Sequence, residues 1–316
     1  FVMRLDNPRI VQSDRTLLLD VHAPLADECR NELIPFAELE RSPEHLHTYR
    51  LTPLSLWNAS SAGFMPQDAV NVLQKYARYD VPQSVSLWIT ETAGRFGKLR
   101  MIPGAVVEVK SVKTQDGTAV CEQYLYLVTK ERTVYLEIKA NPQAKKYLVP
   151  CAYDENAVSV KTELSSEEKN YCFSLKLTDR GTVKQLLLQS LWPVKDEIQL
   201  EDGEPLDFKL RSVTSAGKPF EIREYQNAAA SALVGNKGPG TGFGTIVLPC
   251  GAGKTIVGMK IMDLLKTSTL IITTNISAVH QWIQELLDKT NLTEEQIAEY
   301  TGENKTIKQV TVATYQ

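Results

Sequence analysis

Thr245-Ile246-Val247-Leu248-Pro249-Cys250-Gly251-Ala252-Gly253-Lys254-Thr255 passes from an apolar, β-prone run through a glycine-rich turn into Lys-Thr at the start of a helical pattern. Backbone N–H groups can close on a triphosphate only where no Cβ stands in the way, which Gly251 and Gly253 allow. The helix that follows adds the positive end of its dipole. In this arrangement Lys254 reaches the β- and γ-phosphates and the Thr255 hydroxyl ligates Mg2+. Residues Cys250, Gly251, Ala252, Gly253, Lys254 and Thr255 are therefore the candidate binders of ATP and Mg2+, with Lys254 and Thr255 the catalytic candidates. The strict GxxxxGK[ST] pattern fails at its first position, where Leu248 stands. The alternative is a chance surface turn, and the strand–turn–helix context argues against it.

Around this stretch, helical and strand patterns alternate. The periodicity predicts helix Arg223–Val234, strand Thr245–Pro249, helix Lys254–Leu265, strand Thr269–Thr274, helix Ser277–Asp288, a short helix Thr293–Glu299 and strand Val310–Thr314. Alternation of this kind predicts a doubly wound parallel sheet over residues 221–316. The loop Gly235–Gly244 is glycine-rich but does not match GxGxxG, so no phosphate role is assigned to it. Glu221-Ile-Arg-Glu-Tyr-Gln226, just upstream, reads as a charged helix start. Downstream, TLIITTNISAVHQW (Thr269–Trp282), Tyr300-Thr-Gly-Glu303 and Val312-Ala-Thr-Tyr-Gln316 place small hydroxyl residues and glycines at strand ends. Such residues hold a phosphate backbone by short hydrogen bonds, and ordinary loop chemistry is the alternative for each.

The chain before residue 221 reads differently. Residues 1–103 are mainly helical: a strand at Thr16–Val21, an amphipathic stretch ending near Leu39, a strand at Leu46–Thr52, and helices at Leu54–Ala62, Pro66–Ala77 and Pro82–Arg95. Helices with a small strand pair suggest a winged-helix-like unit. Residues 104–220 are richer in strands, with candidates Val106–Val112, Glu122–Val128, Thr133–Ile138, Val158–Lys161 and Tyr171–Leu177, and one helix at Gly181–Leu191. Arg95 to Lys146 carries ten Lys/Arg against five Asp/Glu, and Cys151 to Leu210 seven against twelve. A basic face beside an acidic one would account for this, as would two ordinary solvated surfaces.

Length and composition set wider bounds. At 316 residues, 43% hydrophobic and 23% charged, the chain has material for two or three domains of ordinary globular character. A net charge of -3 gives no bulk sign of a nucleic-acid binder, although a local basic track can sit on an acidic protein. Five scattered cysteines without a CxxC pair suit reduced thiols and a cytoplasmic location. His45 and His47 share one face of a strand without a second ligand pair, so a structural role is expected. No apolar run approaches the ~18 residues of a membrane span, and no signal-peptide pattern is present. Phe1 is not an initiator methionine, which suggests a processed or trimmed start.

In this order, REYQ, IVLPCGAGKT, TNISAVHQW, LTEEQIAEYTGENK and VTVATYQ resemble the bacterial branch of the xeroderma pigmentosum group B (XPB-type) superfamily 2 DNA helicases. The N-terminal third resembles the same branch through IVQSDRTLLLDV, FAELERSPEHLHTYRLTPLSLWNA and ETAGRFGKLR. RGTVKQLLLQSLWPVKDEIQLEDGEP resembles part of its damage-recognition domain. The resemblance implies a multidomain chain, α+β and then α/β. Its parts are an N-terminal domain over 1–149, a small damage-recognition-like domain over 150–220, and the first half of a RecA-like motor domain over 221–316. It also implies an ATP-dependent 3′→5′ DNA helicase or duplex-opening translocase of nucleotide excision repair, using Mg2+ and DNA, with a nuclease partner in bacterial and archaeal relatives. Carried over residue by residue, Gln226 and Arg223 address adenine, and Asn275, Gly302 and Thr314 lie near the DNA backbone.

The family's Asp-Glu box is not found after Lys254, where none of Asp263, Glu285, Asp288, Glu294, Glu295, Glu299 and Glu303 ends an apolar strand. The expectation is an N-terminal portion inactive by itself. Two other readings stand beside the helicase: a restriction-type translocase that moves on duplex DNA without unwinding it, and a protein-docking role for residues 1–220.

Overall fold

The computed structural model describes residues 3–113, 119–199, 201–236 and 242–315, with only the backbone described at 108–113, 119 and 120. Contacts divide the chain into two compact units, Phe1–Ile198 and Gln199–Gln316. Both mix helices with sheets.

The first unit opens with β1 (Arg9–Val11), β2 (Thr16–Asp20), α1 (Ala26–Leu33), β3 (Glu38–Arg41) and β4 (Leu46–Arg50). These strands form an antiparallel sheet in the order β1-β2-β4-β3. Helices α2 (Pro53–Ser61), α3 (Pro66–Lys75) and α4 (Gln83–Ala93) pack against it around Leu17, Leu19, Leu33, Leu73 and Ile89. Thr52 caps α2 in a reciprocal pair with Ser55, and Pro53 and Pro66 stand at first helical positions, where proline's missing N–H does no harm. Arg9 is fully buried, and its guanidinium donates to the Val72 carbonyl at 2.7 Å. Burial pushes its pKa down to about 10.

The unit continues with β5 (Leu99–Lys113), β6 (Ala119–Thr129), α5 (Arg132–Ala140), β7 (Val149–Cys151), α6 (Ser166–Asn170), β8 (Cys172–Lys176), α7 (Arg180–Gln189) and β9 (Val194–Asp196). Its second sheet has the order β7-β8-β6-β5-β9, antiparallel except for β5 with β9. Two strand expectations fail here. Thr133–Ile138 lies in α5: Val134 and Ile138, four apart, are the buried residues, so the apolar period is that of a helix despite the β-branched composition. Val158–Lys161 forms only an isolated bridge from Val158 to Ala105, with no further rung to propagate a ladder. Cys151 and Cys172, far apart in sequence, stand opposite one another across β7 and β8 with their sulfurs 3.7 Å apart.

The basic excess of Arg95–Lys146 is partly consumed inside the unit. Arg100 meets Glu168 at 2.7 Å and Glu197 at 2.8 Å, and Lys98 meets Glu131 at 3.1 Å. The side chain of Lys110 lies outside the described residues.

In the second unit, α8 (Glu224–Val234), α9 (Lys254–Leu265), β10 (Thr269–Thr273), α10 (Ile276–Lys289), β11 (Ile297–Tyr300) and β12 (Val310–Thr314) build a three-stranded parallel sheet in the order β10-β12-β11. Its core joins Met259, Met262, Val279, Leu286, Val310 and Val312 to Leu206 and Phe208, which precede residue 221. Gly258 of α9 faces Trp282 of α10 so closely that a Cβ there would stand 2.6 Å from the indole. The expected helix Thr293–Glu299 is a turn followed by β11, because Ile297 and Ala298 are buried against β12 and the ladder outweighs local helix preference. Thr245–Pro249 forms no ladder among the described residues, and Val247 is 86% exposed. An apolar segment does not become a strand without a partner edge. The loop expected at 235–244 lies outside the described residues at 237–241. No described helix is long and apolar enough to cross a membrane.

The Arg100 cluster yields a stability prediction. Glu168 is nearly buried (3% side-chain exposure), so removing its cation leaves a carboxylate poorly compensated. Arg100→Gln is expected to cost about 3 kcal/mol, read as a lower midpoint in urea unfolding with unchanged slope. An unchanged midpoint would place the ion pair among surface contacts of little weight.

Candidate functional site

The glycine-rich turn runs into helix α9 as expected, but it does not follow a strand, since Thr245–Pro249 forms no ladder among the described residues. Gly251 has φ 78° and Gly253 has φ 80°, the left-handed region that residues with a Cβ avoid, and α9 begins at Lys254. The first-turn N–H groups of a helix have no intrahelical acceptor and point along its axis, out of the N-terminal end. Lys254 is exposed, and its ammonium makes no ion pair among the described residues. Thr255 follows in the first turn, and Cys250 is exposed at the turn's entrance.

Helix α8 grips this turn from behind. The buried Gln226 side chain donates from Nε2 to the Ala252 carbonyl at 2.9 Å, and its Oε1 accepts from the Arg223 amide at 3.0 Å. The Tyr225 hydroxyl donates to the same carbonyl at 2.7 Å. A Cβ on Gly253 would stand 2.5 Å from Gln226 Nε2, so a side chain there would have to displace the Gln226 amide as well as adopt a strained φ. Gln226 thus shapes the loop while one amide N–H and one lone pair remain outside these two bonds. The sequence reading missed Tyr225. Its only signal was its place inside REYQ, with no pattern to show that its hydroxyl would reach a carbonyl 27 residues away.

The strand-end residues come together through the topology. Parallel pairing sets Thr273 opposite Thr314 and Tyr300 opposite Ala313. Asn275, Gly302 and Thr314 therefore lie at the carboxyl edge of the sheet. Close packing of Gly258 against Trp282, both in the second turns of their helices, puts the N-termini of α9 and α10 at one end. Asn275 caps α10, its Oδ1 accepting from the Ala278 amide at 2.8 Å. Gly302 sits in an exposed turn with nothing within 4 Å of a Cβ position.

Four carboxylates of this unit are engaged away from the turn. Burial favours the acid form of Asp263, yet hydrogen bonds from Lys266 and Lys260 prevail and hold it below the usual carboxylate range. Glu285 and Asp288 pair with Lys289, and Glu299 pairs with His280. No group of three or more His, Cys, Asp or Glu among the described residues is placed to hold a metal ion. The turn offers backbone donors, one ammonium and one hydroxyl, a set that fits a polyphosphate carrying its own cation.

Residues 9–150 match the family described as helicase conserved C-terminal domain, and residues 219–316 match the type III restriction enzyme, res subunit. The chain is 39% identical over 311 residues to the DNA 3′-5′ helicase XPB of Mycobacterium tuberculosis, covering 98% of this chain and 49% of that protein. The chain is a homologue of the bacterial XPB helicases. The XPB helicase of Kineococcus radiotolerans is 40% identical over the same length, covering 98% and 48%. More distant is the general transcription and DNA repair factor IIH helicase/translocase subunit XPB/SSL2 of Saccharomyces cerevisiae, 25% identical over 97% of this chain and 38% of its own. The chain spans about half the length of the bacterial XPB relatives it matches.

Gly253→Ala tests the turn directly. The strained φ and the contact with Gln226 are expected to cost about 1–2 kcal/mol and to abolish binding of a fluorescent ATP analogue, checked by thermal melting and fluorescence titration. Undiminished analogue binding would remove the turn from the site.

Proposed function

We propose that residues 221–316 are the nucleotide-binding front of a RecA-like motor, in a protein that couples ATP hydrolysis to 3′→5′ movement on DNA and opens the duplex in nucleotide excision repair. The observation that carries this reading is the turn Gly251–Thr255, clasped by Gln226 and set at the helix end nearest the carboxyl edge of a parallel sheet. Ligands of open α/β sheets bind outside that edge. In this reading the turn amides and Lys254 hold the phosphates, and Thr255 gives one ligand to the Mg2+ that travels with them. The bound Mg2+ would neutralise phosphate charge during transfer. Gln226 turns its remaining donor and acceptor to the adenine edge, with Arg223 beside it. Asn275, Gly302 and Thr314 meet the phosphates of the DNA strand along the edge.

Residues 1–149 and 150–220 serve here as the winged-helix-like and damage-recognition-like parts that present the substrate, in the cytoplasm and with a nuclease as partner. Because Arg100 is committed to Glu168 and Glu197, nonspecific DNA affinity of this part must come from other cations.

A second reading has its own support. The match of 219–316 to the type III restriction res subunit suits a motor that translocates without separating strands. Strand displacement from a forked duplex distinguishes the two, since such a translocase would displace a bound triplex strand but leave the fork paired.

Lys254→Ala in the full-length protein is expected to reduce DNA-stimulated ATP turnover to background while leaving the melting temperature unchanged. Residues 1–316 alone are expected to show almost no turnover, because no Asp-Glu pair follows Lys254 in them and Asp263, Glu285, Asp288 and Glu299 are held by lysines or a histidine. An arginine finger from elsewhere can be worth about 10³–10⁵ in rate. Normal turnover by the Lys254 variant would defeat the assignment. Comparable rates for residues 1–316 and the full-length protein would require catalytic acids within this stretch.

A further inference from the structure

The turn that carries Gly302 is held by the Glu299 carboxylate and the Thr301 hydroxyl, neither of them among the residues assigned above to ATP or DNA. Thr301 is 2% exposed, although its neighbours Tyr300 and Gly302 are exposed. Its hydroxyl donates to Glu299 Oε1 at 2.8 Å and accepts from the amides of Glu303 at 3.2 Å and Asn304 at 3.3 Å. Its own amide donates to the Asn304 carbonyl at 2.6 Å. The other oxygen of Glu299 lies 3.1 Å from His280 Nε2, on the second turn of the helix that Asn275 caps. One connected set of bonds therefore runs from α10 through β11 into the Gly302 turn.

We infer that Glu299 and Thr301 are positioning residues for DNA binding, fixing the Gly302 turn relative to the α10 N-terminus so that both meet consecutive phosphates of one strand. The inference rests on the reading that the carboxyl edge receives DNA. A buried hydroxyl with its hydrogen given to a carboxylate has a defined orientation, and its lone pairs then point at the two turn amides. Backbone amides held in this way keep the turn from rearranging when a phosphate approaches. His280 fixes the rotamer of Glu299 and joins the two phosphate-facing segments. The side chain of His280 is 56% exposed, so its share is smaller than that of Thr301.

The test uses full-length protein, a fluorescein-labelled single-stranded oligonucleotide, and ATP turnover with and without DNA. Thr301→Val keeps the shape and removes the hydroxyl. It is expected to raise both the oligonucleotide Kd and the DNA concentration for half-maximal stimulation by about three- to tenfold, with DNA-free turnover and maximal stimulated rate unchanged. Thr301→Ser restores the hydroxyl and is expected to return binding to the wild-type value. Glu299→Gln falls between them. Gly302→Asp is the control for the underlying reading, since its side chain has room and adds a negative charge where phosphate is expected. If Gly302→Asp weakens DNA binding while Thr301→Val does not, the positioning inference is overturned and the DNA edge stands. If neither changes binding, the edge reading falls and takes the inference with it. A Thr301→Val protein that loses DNA-free turnover and melting temperature together would show a merely structural threonine.

Discussion

Parallel pairing of β10, β11 and β12 is the constraint on which the second unit depends. Strands that run in one direction must be joined by crossovers, and each crossover returns the chain to the same starting end. Every β-to-α junction is thereby delivered to the opposite end, where chain segments remote in sequence become neighbours. The turn at Gly251 reaches this end through the packing of α9 on α10, while the cap at Asn275 and the turn at Gly302 owe their proximity to the rule itself. Side chains then refine it, Gln226 for the first turn and Thr301 for the third.

The same constraint has a demand that is only half met within these residues. Parallel sheets are stable when both faces are covered. Helices α9 and α10 cover the face of Ile271, Val310 and Val312. On the opposite face Leu270 and Ile272 are exposed and border an apolar trough of about 620 Å3 with Thr311 and Ala313. The unladdered Val247 segment belongs to the same account: its residue types suit a strand, and what it lacks is an edge.

What the sequence revealed follows from how local each signal was. Helix α9 begins at Lys254 as read, because a glycine turn and a Lys-Thr start are properties of adjacent residues. Helices α2, α3, α4 and α10 were legible from prolines, caps and apolar period for the same reason. Thr133–Ile138 was misread because composition was weighed above period, although Val134 and Ile138 already had helical spacing. Thr293–Glu299 was misread for a deeper reason. Its strand character comes from β12, more than ten residues away, and no local pattern reports a partner. Site chemistry divides similarly: the turn residues were legible, while the Tyr225 clasp, the Glu299–Thr301 contact and the commitment of Arg100 to two carboxylates depend on distant neighbours.

The meeting of Gly258 with Trp282 gives the unit a mechanical property. Two helices normally keep their axes 8–10 Å apart according to the side chains between them. Here one side contributes no side chain at all and the other the largest one, so the spacing is set by the tip of an indole: its Cη2 end comes nearest to the glycine and the rest of the ring stands farther off. Such a contact seats a knob in the hollow left by the missing Cβ, and it leaves no slack along the line between the helices. A push on the start of α9 passes through a stiff ring to α10, and so to the segment that Asn275 caps. The glycine acts as a socket for the ring tip, rigid under load.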